Sequence, residues 1–170
     1  MPTETDSAPL MAALKFTPDD LAANRENRLS EPQRARLRAA RKRIILIGVV
    51  TLAVVVLLAT TALYLGRINA QAVLSFVGVA LTICGAAVSG LLVRNYFRLT
   101  TDLERNTVQT LAGTATLTVR VSGQVANYVV GIDGHELSVP KPVFLSVRNG
   151  GQYRFYRTPV AQVLLSGEAL

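Results

Sequence analysis

The side chains that could do chemistry are few. The sequence contains one His, one Cys and no Trp. His135 follows an Asp-Gly pair and precedes Glu136, so Asp133, His135 and Glu136 can be drawn as an acid–base cluster. Adjacent strand residues such as His135 and Glu136 point to opposite faces, however, and a solvated turn histidine is the simpler reading. Cys84 lies inside a long apolar run, has no second Cys to pair with, and reads as a small packing residue. A zinc site needs several Cys or His ligands. Neither a phosphate-cradling glycine pattern, nor a nucleophile elbow, nor a pair of histidines at helical spacing is present. The expectation is a protein that is not an enzyme, uses no metal and no cofactor, and has no evident small-molecule substrate.

Two segments carry residues suited to binding. In GGQYRFYRTPVAQVLLSGE (150–168), Arg154 and Tyr156 alternate with Tyr153 and Phe155, which predicts one pair facing inward and the other outward. If Arg120 shares that outer face, Arg120, Arg154 and Tyr156 form a cationic and aromatic patch for a protein partner. The plainer alternative is that exposed Arg and Tyr solubilise a strand. In FTPDDLAANRENRLSEPQ (16–33), Phe16, Asp20, Leu21 and Asn24 are the candidate contacts. Phe16 and Leu21 pack locally or against a partner, or else anchor a short interfacial helix.

A third segment is strongly basic. Arg34, Arg36, Arg38, Arg41, Lys42 and Arg43 fall within 33–43 and lead directly into IILIGVV. Such a run suits nucleic acid, lipid head groups, or the cytoplasmic collar of a membrane helix. It lacks the interleaved aromatics of a nucleic-acid surface, so lipid head groups are the favoured partner, each basic residue near the surface contributing about 1 kcal/mol.

The elements that must position these residues follow from composition. Of 170 residues, 50% are hydrophobic and 17% charged. From Ile44 to Val93 the ionisable side chains are Tyr64, Arg67 and Cys84, which excludes an amphipathic surface helix. One straight helix over 44–93 would be about 75 Å long, against about 30 Å of bilayer hydrocarbon, so the chain must turn back. Gly66, Arg67 and Asn69 mark the break, and the reading is a two-span transmembrane hairpin, 44–66 and 70–93. The apolar run is too long and too far from the start for a signal-peptide core, and the acidic residues before it disfavour a transit peptide.

Basic residues set the orientation. Of the 18 Lys and Arg, nine precede Ile44, the inter-span turn has Arg67 alone, and Arg94, Arg98 and Arg105 follow the second span. Positive charge near span ends stays inside, so both termini are expected in the cytoplasm. The net charge of +7 reflects this collar. No Asp, Glu, Lys or His lies within either span, which disfavours a transport pathway lined by this chain alone. Gly78, Thr82, Gly85, Ala86, Ser89 and Gly90 place small side chains along the second span, for packing against the first span or for a homo-oligomer contact.

Residues 1–14 are expected to be disordered, and 15–43 to form a cytoplasmic helical segment ending in the collar. Thr17 with Pro18, Asp19 and Asp20 reads as a helix start; so does Ser30 with Gln33, a capping box. Residues 94–113 are read as a juxtamembrane helix, with Tyr96 and Phe97 at the interface and Gly113 as the stop. Over 114–170, TATLTVRV and ANYVVGI alternate as strands, Asp133-Gly134 marks a hairpin before HELSV, VFLSV reads as a further strand, and QYRFYRTP and AQVLLSGE complete the set. Five or six short strands suggest a small β-barrel, OB-like or SH3-like. The fold class is therefore membrane α+β.

Two motifs carry a resemblance. Phe16, Asp20, Leu21, Asn24, Arg25, Arg28, Leu29, Ser30 and Gln33 match a pattern F-x-x-D-D-L-x-x-N-R-x-x-R-L-S-x-x-Q. Gly151 or its neighbour, Tyr153, Arg154, Tyr156, Pro159, Leu165, Ser166 and Glu168 match an ending G-x-x-Y-R-x-Y-x-x-P-x-x-x-x-L-L-S-x-E. With the hairpin between them, they resemble an uncharacterised family of prokaryotic two-span membrane proteins with a small C-terminal β module. The layout is similar to that of the NfeD-like membrane-anchored OB proteins. The resemblance implies a prokaryotic plasma-membrane location and supplies no activity. The functional expectation is a scaffold or accessory subunit that displays an interaction module to a protein partner or a second copy.

Overall fold

A computed structural model describes residues 8–123 and 125–170. The chain divides into two compact units: the residues up to Arg34 together with Arg105–Leu170, and Ala35–Glu104 between them in sequence. The elements run α1 (Ala8–Leu14), α2 (Pro18–Arg25), α3 (Glu31–Ile68), α4 (Ala72–Arg105), β1 (Gln109–Thr114), β2 (Thr116–Ser122), β3 (Val125–Ile132), β4 (His135–Val139), α5 (Lys141–Ser146), β5 (Gln152–Arg157) and β6 (Leu164–Ala169).

The inner unit is a helical hairpin. Helices α3 and α4, of 38 and 34 residues, are both long and apolar enough to cross a membrane. Their most apolar 18-residue windows have mean hydropathies of 2.8 and 2.3 and are only 6% and 11% buried. Leu46, Leu57, Val73, Phe76 and Ile83 all face outward, so these helices do not form the core of a water-soluble fold. The turn is at Asn69–Gln71: Ala70 takes a left-handed φ of 49° and the Gln71 amide donates to Gly66 O at 2.9 Å. Gly66, Gly78 and Gly85 let the helices approach closely: a Cβ at Gly66, beside the turn, would lie 2.7 Å from the Ser75 backbone nitrogen. A Cβ at Gly78 would lie 2.6 Å from Leu63 Cγ, and one at Gly85 would lie 2.5 Å from Val55 Cγ1. Gly90 has no neighbour within 4 Å and Ala86 is exposed, so the run of small residues divides between a packed face and an open one.

The outer unit is a mixed α/β module with two three-stranded antiparallel sheets, β1-β5-β6 and β2-β3-β4. The small C-terminal β module is as expected, but its two sheets do not close into the expected OB-like or SH3-like barrel. The chain passes from one sheet to the other at Ala115, whose amide donates to Gly151 O and whose carbonyl accepts from Gly150 N, both at 2.8 Å. Helix α1 lies against α5 and β6, and α5 lies against β3. One core joins both sheets: Leu111, Tyr153 and Phe155 from the first; Val130, Ile132, Leu137 and Val139 from the second; Val143 and Val147 at and after α5. The β3–β4 turn is the one Asp133-Gly134 predicts, with φ of 48° and 73°. Gly167 is opposite Phe155, and a Cβ there would lie 2.5 Å from the ring, so only glycine lets β6 sit flat over that side chain.

Three further expectations are corrected. Residues 8–14 are helical rather than disordered; residues 1–7 lie outside the described residues. Leu10, Ala13 and Leu14 recur at i, i+3, i+4, and Leu10 is fully buried in the core of the β module. The juxtamembrane helix ends at Arg105 instead of Gly113, because Asn106 adopts a left-handed φ of 51° and ends the helix before β1. The stretch expected as strand VFLSV is mostly helical: α5 begins after Pro140, whose carbonyl accepts from Val143 N at 3.0 Å and Phe144 N at 3.1 Å. A short apolar run does not distinguish strand from buried helix by periodicity.

Candidate functional site

The two sequence motifs meet in space. Helix α2 lies against β6, and the polar residues of the first motif line the seam with those of the second. At its start, Thr17 and Asp20 form a capping box: Thr17 N donates to Asp20 Oδ2 at 3.0 Å and Asp20 N to Thr17 Oγ1 at 3.2 Å. Ser30 and Gln33 form a second box on α3, with Ser30 N donating to Gln33 Oε1 and Gln33 N to Ser30 Oγ, each at 3.2 Å. The two boxes are joined, because Ser30 Oγ also donates to Asp20 Oδ1. The fully buried Asp20 carboxylate thus ties the starts of two helices together.

One turn further along α2, Asn24 and Arg25 reach β6. Asn24 Nδ2 donates to Ser166 Oγ at 2.6 Å, with both residues fully buried. Arg25 donates to both oxygens of Glu168, through Nε to Oε1 at 3.4 Å and through a shorter bond from the guanidinium to Oε2. Glu168 Oε1 also accepts from the Tyr156 hydroxyl at 2.8 Å, and the Arg154 guanidinium lies 3.5 Å away. The carboxylate is the hub of this seam.

The electrostatics follow from that geometry. Burial alone would raise the Glu168 carboxyl pKa, but the hydrogen bonds from Arg25 and Tyr156 and the charges of Arg25 and Arg154 outweigh it and hold it below the ordinary carboxylate value. Burial, and then the hydrogen bond to Glu168, push the Tyr156 phenol above its ordinary value. The Arg25 guanidinium is held protonated by its hydrogen bond to Glu168. Glu168 is therefore an anion fixed by three donors or charges, an arrangement suited to fastening two segments together.

This seam reassigns the expected binding residues. Tyr156 is 1% exposed and bound to Glu168, so it is no part of an outer patch. Arg120 lies on the other sheet, where it pairs with Glu136 at 2.5 Å, and so Arg120, Arg154 and Tyr156 do not share one face. The reason is that β5 is covered on both faces at its Phe155–Arg157 end, while Gln152 and Arg154 stay open or half-buried, which a period-2 reading of an isolated strand cannot register. Phe16, Asp20 and Asn24 are likewise interior, and Leu21 is half-buried. Arg25, Ser166 and Glu168 enter the sequence reading only as motif positions, not as candidate contacts. The signal for them was the pairing of two polar motifs with no chemistry of their own.

Among the basic collar residues, Arg36, Arg38, Lys42 and Arg43 are exposed. Arg34 is half-buried and pairs with Glu31 at 3.3 Å, while Arg41 lies 5.9 Å from the centre of the Tyr96 ring. His135 is exposed on β4 beside a shallow groove lined by Thr116, Thr118 and Glu136. Within α4, Gly78 and Gly85 face α3, Thr82 donates back to Gly78 O at 2.9 Å, Ser89 is half-buried, and Ala86 and Gly90 face outward.

No protein-family model, curated protein or solved structure matches this chain.

Proposed function

We propose that this chain is a two-span protein of a prokaryotic plasma membrane, with both termini cytoplasmic, and that it serves as a non-enzymatic scaffold or accessory subunit. The observation that carries the reading is the hairpin. Its two adjoining helices expose aliphatic side chains on nearly every side, a surface that hydrocarbon solvates and water does not. The basic residues cluster in the first turns of α3, before its apolar part, and after the apolar part of α4, which supports the cytoplasmic assignment of both ends. The segments flanking the hairpin fold into one module, and the hairpin tethers it.

Anionic lipid is the second partner the layout favours, because Arg36, Arg38, Lys42 and Arg43 are exposed just before the apolar segment. The resemblance to two-span membrane proteins with a small C-terminal β module supports the two-span layout. Topology is tested in right-side-out and inverted vesicles with Cys84 replaced by Ala. Asn69→Cys should react with an impermeant thiol reagent from outside only, and Lys42→Cys from inside only; the reverse pattern overturns the orientation. The scaffold role is tested by gentle detergent purification from the native membrane at low and high salt. A stoichiometric protein that survives high salt supports an accessory subunit, and its absence from both preparations refutes it.

A further inference from the structure

We propose that the open edge of β2 pairs in antiparallel register with the β2 edge of a second copy of this chain, Arg120 opposite Arg120. Strand β2 is the outer strand of β2-β3-β4. Its start is capped from outside the sheet: the Leu117 amide donates to Asn149 Oδ1 at 3.0 Å. Backbone direction alternates along a strand, so the N–H and C=O groups of Val119 and Val121 point the same way as those of Leu117, away from β3. The β2–β3 register agrees, since the hairpin closes on the pair Ser122 and Val125 and the ladder bonds therefore fall at even-numbered residues of β2.

The side chains on this edge are apolar and open. Val119 is 47% exposed and Val121 71% exposed. Edge strands are usually guarded by a charge projecting over the edge. Arg120 is the residue placed to do so, yet its guanidinium is directed back across the sheet to Glu136 on β4. That leaves the edge unguarded and neutralises Arg120 locally.

The occupant follows from symmetry. Val119-Arg120-Val121 reads the same in both directions. A two-fold axis at Arg120 therefore sets each Val119 against the partner's Val121, their outward backbone groups exchanging hydrogen bonds. The two Arg120 residues face each other across a non-hydrogen-bonded position, each with its own Glu136 as counter-ion. The Asn149 cap at Leu117 limits the pairing to this outer half of the strand and so fixes its register. A lipid surface could cover the two valines but would leave the backbone groups unpaired, which a second strand does not.

The experiment is disulfide trapping of the full chain in native membranes, with Cys84 replaced by Ala. Directly opposed, non-hydrogen-bonded residues have Cα atoms about 4.5 Å apart, within disulfide range. Arg120→Cys should give a covalent homodimer under mild oxidation and Thr118→Cys should not. Adding Val121→Pro should abolish the Arg120→Cys dimer, because it removes an edge donor without touching the β2–β3 ladder. Retained protease resistance of the module will show that this variant folds. A dimer that forms equally at 118 and 120, or that survives Val121→Pro, overturns the proposal. So does the absence of dimer at 120, the result expected if lipid or a foreign strand occupies the edge.

Discussion

Removing the Tyr156 hydroxyl should cost the module more than removing the Arg25 guanidinium, although the latter carries a full charge. Both groups donate to Glu168, whose side chain is 10% exposed, but Arg25 is 56% exposed and Tyr156 is 1% exposed. A buried hydrogen bond to a carboxylate contributes about 1.5–3 kcal/mol. An ion pair with one arm in solvent is screened to about 0.2–1 kcal/mol. Tyr156→Phe is therefore expected to destabilise by about 2 kcal/mol, and Arg25→Met by less than about 1 kcal/mol. Hydrogen exchange of the β5 and β6 amides, in the detergent-solubilised full chain, reads these differences as changes in local opening free energy. Double-mutant cycles with Glu168→Gln separate the two legs, and only the Arg25 leg should weaken as salt rises. A larger effect from Arg25→Met than from Tyr156→Phe, or equal salt sensitivity of both, refutes the argument that burial decides which leg dominates.

The same hub predicts a pH dependence. Because the Glu168 pKa is lowered on folding, its contribution is present above the unfolded value, near 4.5, and is lost as pH falls through the lower folded value. Acid melting profiles of wild type and Glu168→Gln should converge below that window and separate above it; parallel profiles would contradict the assignment. Gly85→Val should force Val55 aside and weaken the hairpin by about 1–3 kcal/mol, while Gly90→Val should be tolerated, both read by thermal unfolding in detergent. Leu10→Ala should cost the module about 2–5 kcal/mol, measured by protease resistance of β5 and β6. An unaffected module would mean that α1 is not part of its core.

What could be read from the sequence was local. Both capping boxes involve residues three apart, and the Asp133-Gly134 turn needs only its own φ values, so the residue types report these directly. The apolar blocks of α3 and α4 are legible because they saturate the pattern. What escaped was non-local. Leu10 looks like any residue in a Pro- and Ala-rich stretch until α5 and β6 are placed around it, and the polarity of Asn24 says nothing of Ser166, 142 positions on. The interior position of Tyr156 depends on α2 covering β6, a contact between motifs at opposite ends of the chain.

The interleaving of module and hairpin has a consequence for biogenesis. Helices α1 and α2 leave the ribosome before the hairpin, while β6, which holds Ser166 and Glu168, leaves after it. The first segments must therefore wait, with Leu10 and Asn24 unburied, through the whole of membrane insertion. On the two-span reading proposed above, the second crossing returns the late strands to the same compartment as the waiting helices. The seam at Glu168 can close only after the hairpin has been made. A ribosome stalled before β6 should hold a hairpin already inserted and a module still open to protease.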